Sequence, residues 1–264
     1  MVDVLVIFGS ASDEPVFSKI ITELKEKNIS VELRIISAHR TPKELETALA
    51  ETDAKIFITG AGLSAALPGV VASQVVKPVI GIPVSGNYEG LDALLSIHQM
   101  PPGIPVLGSG VDGGEVVLTV ENYLKGFSEL VLTKNAENDE IEKRYQACIK
   151  TLNELGVEFK ESATKENPLV IEFQDINNLV ESKSEATSII VPCGKPVAED
   201  SVKVLKASGK NIWVGLGRGD NAAIAGVELM NNSGALTGAL TAQRAKMKDK
   251  VIASDTEMKG KYGE

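Results

Sequence analysis

Only two histidines occur in the 264 residues, His39 and His98, so imidazole acid–base chemistry has few places to reside. His39 stands in Ser37-Ala38-His39-Arg40-Thr41-Pro42, with a hydroxyl two residues before the ring and a guanidinium directly after it. An imidazole can protonate one atom and then deprotonate another near neutral pH. A planar guanidinium fork suits a phosphate; the alternative for Arg40 is a surface salt bridge, and for His39 a helix-start cap or a packed ring. Gly9-Ser10-Ala11-Ser12-Asp13 offers free amides and two hydroxyls at the start of a helix, where an anion is favoured. Asp13 would repel a phosphate, so it either accepts from sugar hydroxyls or caps the helix. The small residues Gly60 to Gly69 permit close approach of a flat ligand or close helix-to-sheet packing. Two cysteines, Cys148 and Cys193, and two histidines give no metal-site spacing. No G-x-S-x-G elbow is present. Neither a P-loop nor a G-x-G-x-x-G loop is expected after a strand, so neither ATP nor a dinucleotide is signalled.

The elements that must hold these residues alternate between strand and helix. Strands are expected at Val4–Phe8, Val31–Ile36, Lys55–Thr59, Val79–Pro83 and Ile104–Leu107. Helices are expected at Glu14–Lys27, Pro42–Ala50, after a Gly60-Ala61-Gly62 turn, and at Glu115–Leu124. This alternation implies an α/β fold, a doubly wound parallel sheet covered on both faces. If the strand order is 2-1-3-4-5, the loops after the first three strands are neighbours at the carboxyl edge, where ligands sit. His39 then lies in a crevice beside the loops Gly9–Asp13 and Gly60–Gly62.

Hydrophobic residues make up 43% of the chain and aromatics 4%, so the core is aliphatic. A net charge of −9 argues against nucleic-acid and anionic-membrane partners. No apolar stretch approaches the roughly 20 residues of a membrane span. The start, MVDVLVIFGS, reads as a buried strand and not a signal peptide, which makes a cytoplasmic protein with reduced thiols the expectation.

The chain echoes itself. GSASDEPVFSKIITELKEKNISVELR from Gly9 and NAENDEIEKRYQACIKTLNELGVEFKE from Asn135 share a strand end, an acidic helix start and a following strand. VLGSGVDGGEVV (106–117) pairs with WVGLGRGDNAAI (213–224) at an offset about 20 residues shorter. Two homologous domains are expected, near 1–127 and 128–264, the second shortened and degenerate. It holds no histidine, so catalysis is expected only in the first. Gly215 to Asn221 either binds an anion or is a plain loop.

GSASD (9–13), SAHRTP (37–42), GAGLSAALPGVVAS (60–73), KPVIGIPV (77–84) and the segment from Leu94 to Val106 closely resemble N5-carboxyaminoimidazole ribonucleotide mutases. These are class I catalytic subunits of phosphoribosylaminoimidazole carboxylase in purine biosynthesis. QRAKMKDKVIASD (243–255) resembles the family's terminal helix, displaced to the end of the second repeat. The resemblance implies a flavodoxin-like three-layer fold, here in tandem, and an octamer, which four two-domain chains would mimic. It implies a phosphoribosyl aminoimidazole substrate and no ATP, metal or biotin. It implies His39 as catalytic acid and base, and Ser10, Asp13 and Arg40 as substrate contacts. Ser12, Ser37, Ala61, Gly62 and Leu67 would line the same site. Carboxylases that use CO2 directly are the nearest alternative, and a non-catalytic nucleotide-binding protein of the same fold is another. Two departures stand out. Ala66 occupies a position where the family usually has histidine, and His98 one usually aliphatic. His98 is expected as a partly exposed helix residue; the alternative is that it compensates for the ring missing at Ala66.

Overall fold

The apolar run Val4–Phe8 forms β1, and all five residues are buried. Val4, Val6 and Phe8 feed the core on one face of the sheet, Leu5 and Ile7 the core on the other. This is the reading of a computed structural model that describes residues 2–114, 116–180, 186–195 and 197–263. Glu14–Glu26 (α1), Val31–Ile35 (β2), Pro42–Glu51 (α2), Ile56–Ala61 (β3) and Ala66–Gln74 (α3) follow β1. Val79–Pro83 (β4), Leu91–His98 (α4), Leu107–Gly108 (β5) and Val116–Lys125 (α5) complete the first half. Then come Leu130–Lys134 (β6), Asp139–Leu155 (α6), Leu169–Asp175 (β7), Thr187–Cys193 (β8) and Ala198–Ala207 (α7). Ile212–Trp213 (β9), Gly219–Met230 (α8) and Thr237–Tyr262 (α9) close the series.

The nine strands among the described residues share one sheet, in the order β2-β1-β3-β4-β5-β9-β8-β7-β6. The first half has the flavodoxin-like order 2-1-3-4-5. The second repeats it once Lys160, bridged in parallel to Val131, is taken as the outer edge. Pairing is parallel throughout except where the halves meet, with Gly108 of β5 antiparallel to Trp213 of β9. Helices α1, α5, α6 and α8 cover one face; α2, α3 and α4 cover the other face of the first half.

The second half is thinner. Among the described residues no helix separates β6 and α6 from β7, or β7 from β8. β3 reads IFITGA and is buried almost throughout, whereas β7 reads LVIEFQD and alternates, with Glu172 on the thinner face. A strand covered on one face alternates; one covered on both runs apolar. Helix α9 crosses back to the first half: Leu240 enters the core, and Met247 lies against Gly103.

Several expectations are corrected. The fifth strand is only Leu107–Gly108, because Ile104 donates instead to the Pro101 carbonyl and Pro105 has no N–H. Gly60 and Ala61 continue β3, so the turn begins at Gly62. Glu115 lies outside the described residues. His98 is not partly exposed: it is 2% accessible, because α4 lands on the junction of β5 and β9. Its Nε2 lies 3.2 Å from the Ser109 carbonyl oxygen, and burial pushes its pKa down to about 4. Among the described residues no helix is long and apolar enough to cross a membrane.

Candidate functional site

Four strand ends build one cleft of about 640 Å³ at the carboxyl edge of the first half. The loop after β1 supplies Gly9, Ser10, Ser12 and Asp13; the loop after β2 supplies Ser37, Ala38, His39 and Arg40. β3 and the start of α3 supply Ala61, Gly62, Ala66 and Leu67. Every residue expected from the sequence at this site therefore lines the same cavity.

The first loop is shaped by its serines. Ser10 Oγ accepts from the Ser12 amide at 3.2 Å and lies 2.7 Å from Ser12 Oγ, so the chain turns sharply before α1. Ser12 Oγ donates to Asp13 Oδ1 at 3.3 Å. The Asp13 side chain makes no capping bond to α1, so of its two readings the acceptor role fits the geometry. Burial raises the Asp13 pKa, Ser12 opposes that shift, and the nearby Asp112 carboxylate adds to it.

The second loop is a tight turn. Thr41 Oγ1 accepts from the Ser37 amide at 3.0 Å and donates to the Ser37 carbonyl at 3.2 Å. The Arg40 amide donates to Ser37 Oγ at 3.3 Å. Arg40 Nη2 donates to the Gly9 carbonyl at 3.0 Å, which ties the two loops together and leaves the other guanidinium donors available. His39 is exposed at the rim.

The glycines divide between packing and access. A Cβ on Gly60 would sit 2.0 Å from the Phe8 ring, so Gly60 exists for packing. A Cβ on Gly62 would meet only Val84, at 3.5 Å from its carbonyl oxygen and 3.8 Å from its Cβ, so Gly62 borders open cleft. Leu63, at φ 55° and 61% exposed, forms the rim beside it.

Sequence reasoning missed the fourth loop. Val84, Ser85 and Gly86 also line the cleft, and the Ser85 amide is held by Asp112 Oδ1 at 2.8 Å. The signal was present: β4 ends at the same carboxyl edge as its neighbours. The expectation that no G-x-G-x-x-G follows a strand is corrected: Gly108-Ser109-Gly110-Val111-Asp112-Gly113 has that spacing at the end of β5. Its turn is filled by protein: a Cβ on Gly108 would meet the His98 ring at 2.0 Å, and one on Gly110 the Ser208 carbonyl at 2.3 Å. His98 borders a different cavity, between α4 and α7, and so does not replace the ring missing at Ala66. No three His, Cys, Asp or Glu side chains among the described residues are grouped to hold a metal ion.

Residues 3–120 match the family described as AIR carboxylase. An N5-carboxyaminoimidazole ribonucleotide mutase of Methanocaldococcus jannaschii is 51% identical over 112 residues, covering 42% of this chain and 71% of that protein. The chain belongs to the AIR carboxylase family. A mutase of the same name from Pyrococcus abyssi is 45% identical over 114 residues, covering 42% of this chain and 66% of its own length. One from Saccharolobus solfataricus is 37% identical over 158 residues, covering 56% of this chain and all of its own length. The AIR carboxylase match ends within α5, so the family likeness lies where the cleft is.

Proposed function

We propose that this chain converts N5-carboxyaminoimidazole ribonucleotide into its C4-carboxylated isomer, with His39 as acid and then base. The observation that carries the reading is the convergence of His39, Arg40, Asp13 and the serine hydroxyls on one cleft. The names of the mutase relatives support it.

In the first step, cationic His39 protonates the exocyclic nitrogen, the nitrogen–carboxyl bond breaks and CO2 is released. The ring carbon C4 then attacks CO2. Neutral His39 removes the proton from that carbon, and aromaticity returns. Atoms and electrons balance without a redox partner. One group serves as both acid and base, which suits imidazole. Ser10, Ser12, Ser37 and Arg40 would hold the phosphate and ribose with the amides at the start of α1, and Asp13 would accept from sugar hydroxyls. Ala61, Gly62, Ala66 and Leu67 form an apolar wall that would keep CO2 from escaping.

The second half, near 128–264, is a degenerate repeat with no catalytic histidine. Its role is to occupy alternate positions in a homo-oligomer, so that four chains build an octamer-like assembly in the cytoplasm. Light scattering that finds an active monomer would overturn that part.

The test is conversion of the N5-carboxylated substrate to the C4-carboxylated product, followed by absorbance, beside a control of bicarbonate with uncarboxylated substrate. Fast conversion only with the carbamate supports the mutase. Turnover only with CO2 assigns the chain to direct carboxylation, and no turnover in either overturns both.

A further inference from the structure

We infer that the C-terminal half sets the wall of the cleft by bracing α3, with Arg244 as a positioning residue; this rests on the mutase reading above. The sequence of α3 gives it little support of its own. Its N-cap, Ala65, makes no side-chain bond, its last turn holds no cation, and it ends at Val75 without a glycine. The support comes from α9. Arg244 Nη1 donates to the Ala72 carbonyl at 2.6 Å and also to the Val75 carbonyl. A guanidinium there satisfies carbonyls left open at the helix end and complements the helix dipole.

Two further contacts fix the same helix. Glu228 of α8, 3% exposed, faces Arg244 Nη2 at 3.6 Å. Met100 presses on Gly69 in the middle of α3, where a Cβ would come within 3.1 Å of Met100 Cε. The loop carrying Met100 is pinned by Asn221 of α8, 2% exposed. Asn221 Oδ1 accepts from the Gly103 amide at 2.8 Å, and Nδ2 donates to the Pro101 carbonyl at 2.9 Å.

Asn221, Glu228 and Arg244 all belong to the half that does not carry His39, and burying such groups is costly unless they are well partnered. Their partners lie on or beside α3. The other end of that helix places Ala66 and Leu67 in the cleft wall. A short rigid helix passes a shift at one end to the other, and a displacement of about 1 Å at a reacting centre can cost up to ~100-fold in rate.

The experiment compares the full chain with Arg244→Gln and Arg244→Lys, by amide hydrogen exchange across 66–75 and by steady-state kinetics. In Arg244→Gln, exchange in α3 should rise roughly 10-fold while β1 and β3 keep their protection. Turnover should fall roughly 10-fold with KM within about two-fold. Arg244→Lys should recover part of both. If Arg244→Gln does not fold, Asn221→Ser carries the same measurements through the Met100 loop. Unchanged α3 exchange, or unchanged turnover beside loosened α3, overturns the brace. If the wild-type chain does not convert the carbamate, the functional reading fails by itself, and the exchange data alone decide the brace.

Discussion

The two halves carry clefts at the carboxyl ends of their strands on one backbone plan, with opposite chemistry in the side chains. In the first, the Gly9 amide donates to the Gly60 carbonyl at 3.1 Å; in the second, the Asn135 amide donates to the Phe173 carbonyl at 3.0 Å. The Asp112 amide reaches the Pro83 carbonyl at 2.8 Å, and the Gly217 amide reaches the Pro192 carbonyl at 2.7 Å. The fillings differ. Gly60 lies opposite Phe8, but Phe173 lies opposite Lys134. The second cleft is lined by Asp139, Glu140, Asp175 and Asp200, against Lys195 and Lys203. Two of its donors are engaged within the cleft: Asn138 Nδ2 donates to Asp175 at 2.9 Å, and Lys203 Nζ to Asn177 and Asp200, each at 2.8 Å. Excess carboxylate repels a phosphate, and an engaged donor offers it nothing. Backbone hydrogen bonds must be satisfied in any fold, so the two halves have the same ones while their side chains differ.

His39→Asn is the sharpest way to test that contrast. Loss of the acid–base group should cut turnover by ~10²–10⁴-fold, with little change in melting temperature. Residual activity near the wild-type rate would mean that another group carries the reaction.

Gly60→Ala comes next. The added methyl meets the Phe8 ring and should cost about 1–3 kcal/mol, read as a lower denaturation midpoint. The second cleft tolerates a phenylalanine at the matching register, because Lys134 there leans over Tyr145 while Phe173 packs edge-on to that ring at 5.4 Å. If Gly60→Ala is neutral, the glycine serves ligand access and not packing.

The seam between the halves holds the next prediction. Burial depresses the folded pKa of His98 to about 4, while the unfolded ring titrates at the ordinary value of 6.5. The unfolded state therefore binds the extra proton first. Stability is full above the unfolded value and is lost as pH falls toward the folded one, by about 2 kcal/mol between pH 7 and pH 5. His98→Leu should flatten that dependence. Glu228 works in the other direction. Burial, only partly offset by Arg244, raises its pKa to about 8. Its contribution is present below the ordinary carboxylate range and fades as pH rises toward 8, so Glu228→Gln should flatten the alkaline side. Denaturation midpoints across pH 5–9 check both, and unchanged slopes would mean that neither group stays buried in solution.

These particulars mark what was legible in the sequence. β1 and β4 were read to the residue, because a five-residue apolar run that ends at a glycine or proline has one reading in a parallel sheet. The three loops of the cleft followed from strand order. β5 was misjudged because Pro105 removes a donor that periodicity does not register. The burial of His98 could not be read locally, since the strand that seals it, β9, arrives more than a hundred residues later. The thinner second half was not read from the sequence, although Glu172 interrupts in β7 the apolar run that β3 keeps.

The smallest effect is expected at Asp175→Asn in the second cleft. Asp175 Oδ1 accepts from the Asn177 amide at 2.8 Å, and Oδ2 from Asn138 Nδ2. An asparagine keeps the first bond through its carbonyl oxygen and removes one negative charge from an acidic surface. Turnover should stay within about two-fold, and stability within roughly 1 kcal/mol, as for an exposed polar change. A larger change in substrate affinity would show that the second cleft communicates with the first. An unchanged rate here beside a reduced rate in Arg244→Gln would locate the influence of the C-terminal half where it touches α3, and not in its own cleft.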